Sequence, residues 1–322
     1  MRTAGDGPVV GDQQIADALA GQCASIGDQA AFAAGADFDE QHRQLVEADV
    51  ARLRAEASHA AEGRTSLSAP ITIDDIADQA STLKNNRAPS PLDDFELEVK
   101  AQADGVVRPI YKRSDRAEPA NYRPITLGST VDKLYNLVLN ARLVPHLQQG
   151  DRLHDAQQGF RPGRNAQDNV FILTSCLAAR RAQGLDSYVL FLDIHKAYDT
   201  VWRAGLLWQL WQWGVRGKLF RVLAQMTDGP RSRVLHRSAL SAAYQPGMGW
   251  EQGDTLAATM FTVLVDAVLR EVWAAHPGVP LPAPAAALPA GAAAPAPHAA
   301  PGDKLVALMY ADDCAGVAGS PE

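Results

Sequence analysis

Two periodicities organise this chain. Residues 39–60 carry a thin apolar stripe through Leu45, Val46, Val50 and Leu53 among Ala, Glu and Arg, which predicts a helix. Thr72 is the expected N-cap of a helix running through Ile76 to Leu83. Asp74 and Asp75 suit its first turn, and Ala-Pro-Ser-Pro stops it. Residues 106–111 read as a strand. Val131, Leu134 and Val138 predict a helix from about 130 to 144, where Pro145 should end or kink it. Another helix begins near Asn165 and carries Phe171, Cys176 and Leu177.

Residues 188–193 form a short apolar run that reads as a strand. Helices at about 203–213 and 216–227 follow, separated by Gly214, then a strand pair at 233–240 and 242–246. Residues 254–273 read as a helix with Leu256, Met260, Val263, Leu264 and Ala267 on one side. Residues 305–310 predict a buried strand and 314–318 its return.

The ends and one internal tract differ in kind. Residues 1–38 are rich in Ala, Gly and Asp with weak periodicity, and are expected to be a poorly ordered leader without a secretory signal. Residues 276–302 repeat proline, which removes donors and fixes φ. That tract is expected to be an extended, disordered insert looping out of the fold.

With 322 residues, 47% of them hydrophobic, the chain can bury a sizeable core. Cys23, Cys176 and Cys314 lie far apart and read as reduced thiols of an intracellular protein, in nucleus or cytoplasm, with neither a zinc site nor a disulfide framework. No apolar run approaches membrane-spanning length, so no membrane partner is expected.

The net charge of −7 argues at first against a nucleic-acid partner, but the charge is segregated. Residues 1–99 carry net −11, residues 100–240 net +10, and residues 241–322 net −6. A local positive field is what a phosphate backbone responds to, whatever the total. An ordinary solvated basic face is the plainer alternative.

The chemistry concentrates at two strand ends. Tyr310-Ala-Asp-Asp313 places adjacent carboxylates after a buried apolar strand, and the strand at 188–193 ends in Asp193. Unpaired charge at the end of a buried strand is costly, and bound divalent cations would offset the cost. A lone Asp-Asp is commonly a solvated turn. Two strands each delivering a carboxylate to one point suit two-metal nucleotidyl transfer.

Six blocks, in their order along the chain, resemble the reverse transcriptase domain of LINE-type non-LTR retrotransposons. They are Arg108-Pro-Ile-Tyr-Lys112, Asn121-Tyr-Arg-Pro-Ile-Thr-Leu127, Gln158-Gly-Phe-Arg-Pro-Gly-Arg-Asn165, Phe191-Leu-Asp-Ile-His-Lys-Ala-Tyr-Asp-Thr-Val201, Gln252-Gly-Asp-Thr-Leu256 and Tyr310-Ala-Asp-Asp313. A weaker match lies at 71–76 and 84–91. The resemblance implies an α+β, right-hand polymerase fold. Partial fingers would span 70–185, behind a helical extension at 39–69. An incomplete palm would span 186–318, an antiparallel sheet backed by helices, with the thumb absent.

The resemblance also implies roles. Asp193 and Asp312 are the expected ligands of two Mg²⁺ ions, with Mn²⁺ as a substitute. Asp313 completes the catalytic set, although on an ideal strand it points the other way. Tyr198 is expected under the sugar of the incoming nucleotide, excluding a 2′-hydroxyl, or else to be a core aromatic. Lys112 and Arg123 would clasp the triphosphate, or be surface charges. Gln252 and Gly253 would face the nascent base pair. Arg161 and Arg164 would contact a nucleic-acid backbone, or flank a solvated turn.

The implied activity is RNA-directed DNA polymerase, with RNA template, DNA primer and dNTP as partners and no obligate protein partner. Two alternatives keep the fold: a catalytically incompetent truncated remnant that at most binds nucleic acid, and a group II intron maturase-like palm polymerase. The sequence departs from the family in a short 91–106 stretch, in Gln-Gly-Asp-Thr-Leu-Ala-Ala where proline is usual, and in the Pro/Ala tract.

Overall fold

Eleven strands and eight α-helices are placed by the computed structural model, which describes residues 2–3, 6–8, 11–26, 39–59, 67, 69–83, 105–150, 152–228, 231–281 and 304–320. In chain order they are β1 (Arg2–Thr3), β2 (Asp6–Pro8), α1 (Asp12–Ile26), α2 (Glu40–His59), α3 (Ile73–Thr82), β3 (Gly105–Tyr111), β4 (Tyr122–Leu127), α4 (Thr130–Gln148), α5 (Ala166–Ala182) and β5 (Tyr188–Asp193). Then come α6 (Arg203–Gln212), α7 (Gly217–Met226), β6 (Ser232–His236), β7 (Ala239–Leu240), α8 (Ala257–Ala275), β8 (Val279–Pro280), β9 (Lys304–Leu305), β10 (Ala307–Tyr310) and β11 (Asp313–Ala318). The α+β class read from the sequence is the class observed.

The chain divides into two units that interleave in sequence. One comprises Met1–His146 with Tyr198–Met260, and the other Leu147–Ala197 with Phe261–Glu322. The contiguous division at 185/186 expected above does not follow these boundaries.

The first unit is built on a sheet of order β4-β3-β6-β7. β3 and β4 pair antiparallel from Val106↔Leu127 to Tyr111↔Tyr122, and β3 pairs parallel with β6. Residues 12–26, expected within a poorly ordered leader, form α1 instead. Ala16, Leu19 and Ala20 are buried, and Leu19 and Ala20 pack with Val107 and Val234. Small residues carry that stripe, so it is weak on a hydropathy scale. Gln13 Nε2 donates to Leu240 O at 3.0 Å, and the Ala242 amide donates to Asp17 at 3.1 Å, fixing α1 to the sheet's end.

α2 lays Val46, Val50, Leu53 and Ala57 inward, while Leu45 is exposed. Its Arg54 reaches Asp228 at 2.5 Å and Thr227 at 2.8 Å beyond α7. Leu206, Leu207 and Leu210 of α6 and Leu219, Phe220 and Leu223 of α7 are the heart of this core. Each contributes on the order of 2 kcal/mol by burial. Thr72 caps α3 in a full capping box with Asp75. The second predicted strand at 242–246 is reduced to one bridge, Ser232↔Tyr244.

α4 runs through Pro145 instead of stopping at it. Leu143 and Leu147, one turn apart across the proline, are 0% and 1% exposed. Two such burials together outweigh the ~3 kcal/mol that an interior proline costs.

The second unit carries a sheet of order β10-β11-β5. Asn165 caps α5 in a capping box with Asp168. Cys176 of α5 packs with Val279, Leu305, Leu308 and Val317. β10 is buried, as predicted. β5 is an exposed edge, with Leu190 60% and Phe191 72% accessible. The repeated-proline tract lies outside the described residues except at its start, where β8 pairs with β9.

Candidate active site

The acidic end of the second unit is set by strand register. β5 and β11 pair antiparallel from Ala318↔Tyr188 to Asp313↔Asp193. β10 and β11 pair from Ala307↔Gly316 to Tyr310↔Asp313, leaving Ala311 and Asp312 as the turn. Directly paired residues share a sheet face, so Asp313 is the carboxylate across from Asp193. The backbone of Asp312 is fixed to the other strand's end, its carbonyl accepting from the Ile194 amide at 3.2 Å. The ideal-strand geometry that would point Asp313 away does not apply across this turn: the return strand begins at Asp313, one residue earlier than 314.

The local sequence makes this turn tight. Ala311 sits at φ 61°, the left-handed region. The segment before α5 lies against it. The Met309 amide donates to Ala156 O at 2.8 Å, and the Gln158 amide donates to Met309 O at 2.8 Å. A Cβ on Gly159 would lie 2.1 Å from the Ala311 nitrogen, so only glycine permits this approach.

None of the carboxylates of Asp193, Asp312 and Asp313 has a hydrogen-bond or ion-pair partner among the described residues. Among those residues no three acidic, His or Cys side chains form a ready-made metal cage. An all-oxygen, uncompensated donor set of this kind fits a hard cation such as Mg²⁺, which keeps waters and takes further ligands from phosphates.

Arg161 and Arg164, expected at a nucleic-acid backbone, turn inward. Arg161 is 8% exposed and donates to His154 O at 2.9 Å, Gln157 O at 3.1 Å and Gln148 Oε1 at 3.2 Å. Burial, with Arg164 nearby, pushes its guanidinium down to about 10, still charged at neutral pH. Arg164 donates to Asp155 at 2.7 Å and to Gln158 Oε1 at 3.3 Å. Both brace the segment that packs on the acidic turn.

The first unit gathers the remaining residues. Lys112 follows β3, and its amide donates to Asn121 O at 2.9 Å. Arg123 is the register partner of Ile110 and is exposed. The Gln252-Gly253 turn lies against the same hairpin. The Thr126 amide donates to Gln252 O at 2.7 Å, and a Cβ on Gly253, at φ 119°, would meet Thr126 O at 2.5 Å. Tyr198 is tied to this segment through its carbonyl, which accepts from the Trp250 amide at 2.8 Å. Arg203 holds the intervening loop by donating to Gly249 O at 2.8 Å, Pro246 O at 3.1 Å and Met248 O at 3.2 Å.

Two residues escaped the sequence reading. Glu251 lines a cavity of about 50 Å³ with Arg203, Tyr244, Ser232 and Thr126. Burial, with Asp254 adding repulsion and Arg203 opposing, pushes its carboxyl up to about 7. Gln157, 0% exposed, lies under the acidic turn. Its only sequence signal is a second glutamine before the Gln158-Gly block.

The family model described as reverse transcriptase (RNA-dependent DNA polymerase) matches residues 110–322, and the chain belongs to that family. It is 27% identical over 161 residues to the retrovirus-related Pol polyprotein from type-1 retrotransposable element R2 of Popillia japonica, covering 50% of this chain and 22% of that protein. It is 27% identical over 158 residues to the probable RNA-directed DNA polymerase from transposon X-element of Drosophila melanogaster, covering 49% of this chain and 17% of that one. The chain thus spans about a fifth of the length of the curated relatives it matches. Among solved structures, telomerase from Candida albicans in complex with a fragment of telomeric RNA aligns over 74% of this chain and 40% of its own, at 13% identity and a TM-score of 0.43.

Proposed function

We propose that this chain carries out RNA-templated DNA synthesis of the retrotransposon type, with the expected fingers and palm roles divided between its blocks. A primer 3′-oxygen attacks the α-phosphorus of a dNTP. One P–O bond forms, the bond to the β-phosphate oxygen breaks, and pyrophosphate leaves as the hydroxyl proton is lost. The observation that carries this reading is the register of Asp193 with Asp313 beside Asp312, three carboxylates at one sheet end with no partner among the described residues.

Two Mg²⁺ ions, or Mn²⁺, would supply Lewis acidity at the attacking and leaving oxygens. Asp193, Asp312 and Asp313 are the residues that would hold them. Lys112 and Arg123 are assigned to the triphosphate, as a point charge and a planar fork. Tyr198 excludes a 2′-hydroxyl by its bulk. Gln252 and Gly253 meet the base pair, where the absent Cβ permits close approach. RNA template and DNA primer are held mainly by their backbones. Arg161 and Arg164 are assigned to bracing the acidic turn.

The test is primer extension on an RNA template with Mg²⁺ and with Mn²⁺, beside an Asp312→Ala control. Extension that disappears in the control is the expected result. A folded chain that extends nothing, or an Asp312→Ala chain that extends as well as the parent, overturns the proposal.

A further inference from the structure

The turn that carries Asp312 is held by one buried side chain from outside the hairpin. Gln157 Oε1 accepts from the Ala311 amide at 3.2 Å and from the Gly159 amide at 2.8 Å, while Gln157 Nε2 faces the Ala311 carbonyl at 3.4 Å. One amide side chain therefore spans both backbone groups of the residue immediately before Asp312. That residue is a non-glycine in the left-handed region, at φ 61°. Such a conformation is unfavourable for alanine and persists where its surroundings hold it.

The rest of the scaffold points the same way. Residue 157 also bridges Met309 in parallel, and Asn169 Nδ2 donates to Met309 O at 3.0 Å. These contacts fix the strand that enters the turn. Only Gln157 reaches the peptide groups of Ala311 with its side chain among the described hydrogen bonds. The φ and ψ of Ala311 set the direction in which the chain leaves β10. They thereby set where the carboxylate of Asp312 stands, while the register of β11 with β5 places Asp313 across from Asp193. A rotation of that peptide swings Asp312, which lies between the paired Tyr310 and Asp313, while β10 and β11 stay paired.

We propose that Gln157 is a positioning residue. It locks Ala311 in its left-handed conformation and so presets the carboxylate of Asp312 for divalent cations before any substrate binds. The inference rests on the polymerase reading above. Its chemistry is that of preorganisation: a ligand set held in place loses less freedom on binding an ion than one that must be ordered. Glutamine suits the position because one planar group offers an acceptor and a donor on the same side.

The experiment measures Mn²⁺ binding to the full chain by electron paramagnetic resonance, without primer, template or nucleotide. It compares the parent with Gln157→Met, Gln157→Glu, Asp312→Asn and Cys176→Ala. Methionine keeps the volume and removes both kinds of bond. Glutamate keeps the two accepted bonds and loses the donor. Cys176→Ala truncates the same unit's core away from the turn and reports what loss of packing alone does.

Gln157→Met is expected to weaken Mn²⁺ at least tenfold, and to raise the Mg²⁺ concentration for half-maximal extension similarly. Its melting temperature should fall no further than that of Cys176→Ala. Gln157→Glu, retaining two of the three bonds, should keep the fold. Mn²⁺ affinity of Gln157→Met within twofold of the parent, with Asp312→Asn strongly weakened, overturns the positioning role and leaves the polymerase reading standing. A parent chain that binds no Mn²⁺, or an Asp312→Asn chain that binds it fully, overturns both. If neither Gln157 variant folds, Gln157 is a core residue and the positioning role is lost.

Discussion

Asp193 stands directly across from Asp313 in the antiparallel register of β5 and β11, and neither carboxylate has a partner among the described residues. Like charges directly opposed across strands destabilise a sheet by a few tenths to about 1 kcal/mol. Asp313→Asn should therefore leave the fold intact and stabilise it by about 0.5 kcal/mol, while primer extension falls at least a hundredfold. Paired melting curves and extension assays check both halves. A variant that loses activity and stability together would return these aspartates to a structural role.

Arg161 is set as a brace, so its removal should show in stability and not in salt dependence. Arg161→Ala strands three acceptors that the guanidinium now serves, at a cost of about 2–3 kcal/mol. Lysine should recover little of it, having no planar fork. Binding of a single-stranded RNA over a salt series should keep the parent's slope in Arg161→Ala, judged at a temperature where both are folded. A slope reduced by about one ion would restore the backbone contact.

Tyr198 supplies the third prediction. Tyr198→Val should admit ribonucleotides, raising their relative incorporation by tenfold or more while dNTP use changes little. Competition between rGTP and dGTP in single-nucleotide extension measures it. Unchanged sugar selectivity would make Tyr198 a packing residue.

Glu251 predicts a pH dependence of stability. Its carboxyl titrates near 7 in the fold, against a usual value of 4.5, chiefly because it is buried. Between those values the folded chain holds a proton that the unfolded chain has lost. Stability therefore falls as pH rises from about 4.5 through 7 and levels off above. Glu251→Gln should remove this slope and stabilise the chain at pH 8 by on the order of 2 kcal/mol. Denaturant melts at pH 5.5 and pH 8 decide it, and a parent with equal stability at both pH values would reject the assignment.

Gly253 gives a steric prediction. With φ 119° and Thr126 O only 2.5 Å from a built Cβ, Gly253→Ala should lift the Gln252 turn off β4. Loss of dNTP affinity with the core melting unchanged is expected, since no buried apolar residue is removed. A variant with the parent's dNTP affinity would separate the turn from nucleotide binding.

Periodicity and capping chemistry are local, and they were legible. The stripe Val46, Val50, Leu53 placed α2, and Thr72 and Asn165 placed the starts of α3 and α5 in capping boxes with aspartates three residues on. The strand ending at Asp193 and the Asp-Asp hairpin followed from short apolar runs with an acidic break. The ordered blocks carried the family. The stripes, caps and short strand runs depend on residues within one or two turns of each other, and the blocks on their order along the chain, so the sequence by itself determines them.

Tertiary structure decided the rest, because it depends on partners distant in the chain. α1 exists because Leu19 and Ala20 meet the β3/β6 surface at Val107 and Val234, a contact that its weak hydropathy pattern cannot announce. α4 passes Pro145 because Leu143 and Leu147 are buried on both sides of it. Arg161 looks like a surface arginine in a Pro-Gly turn until Gln148 and two carbonyls claim its donors. Gln157 shows its role only where the backbone of Ala311, 154 positions away, comes within reach of its amide. Which carboxylate faces Asp193 is a matter of register, and register is fixed by pairing across the sheet and not by the composition of either strand.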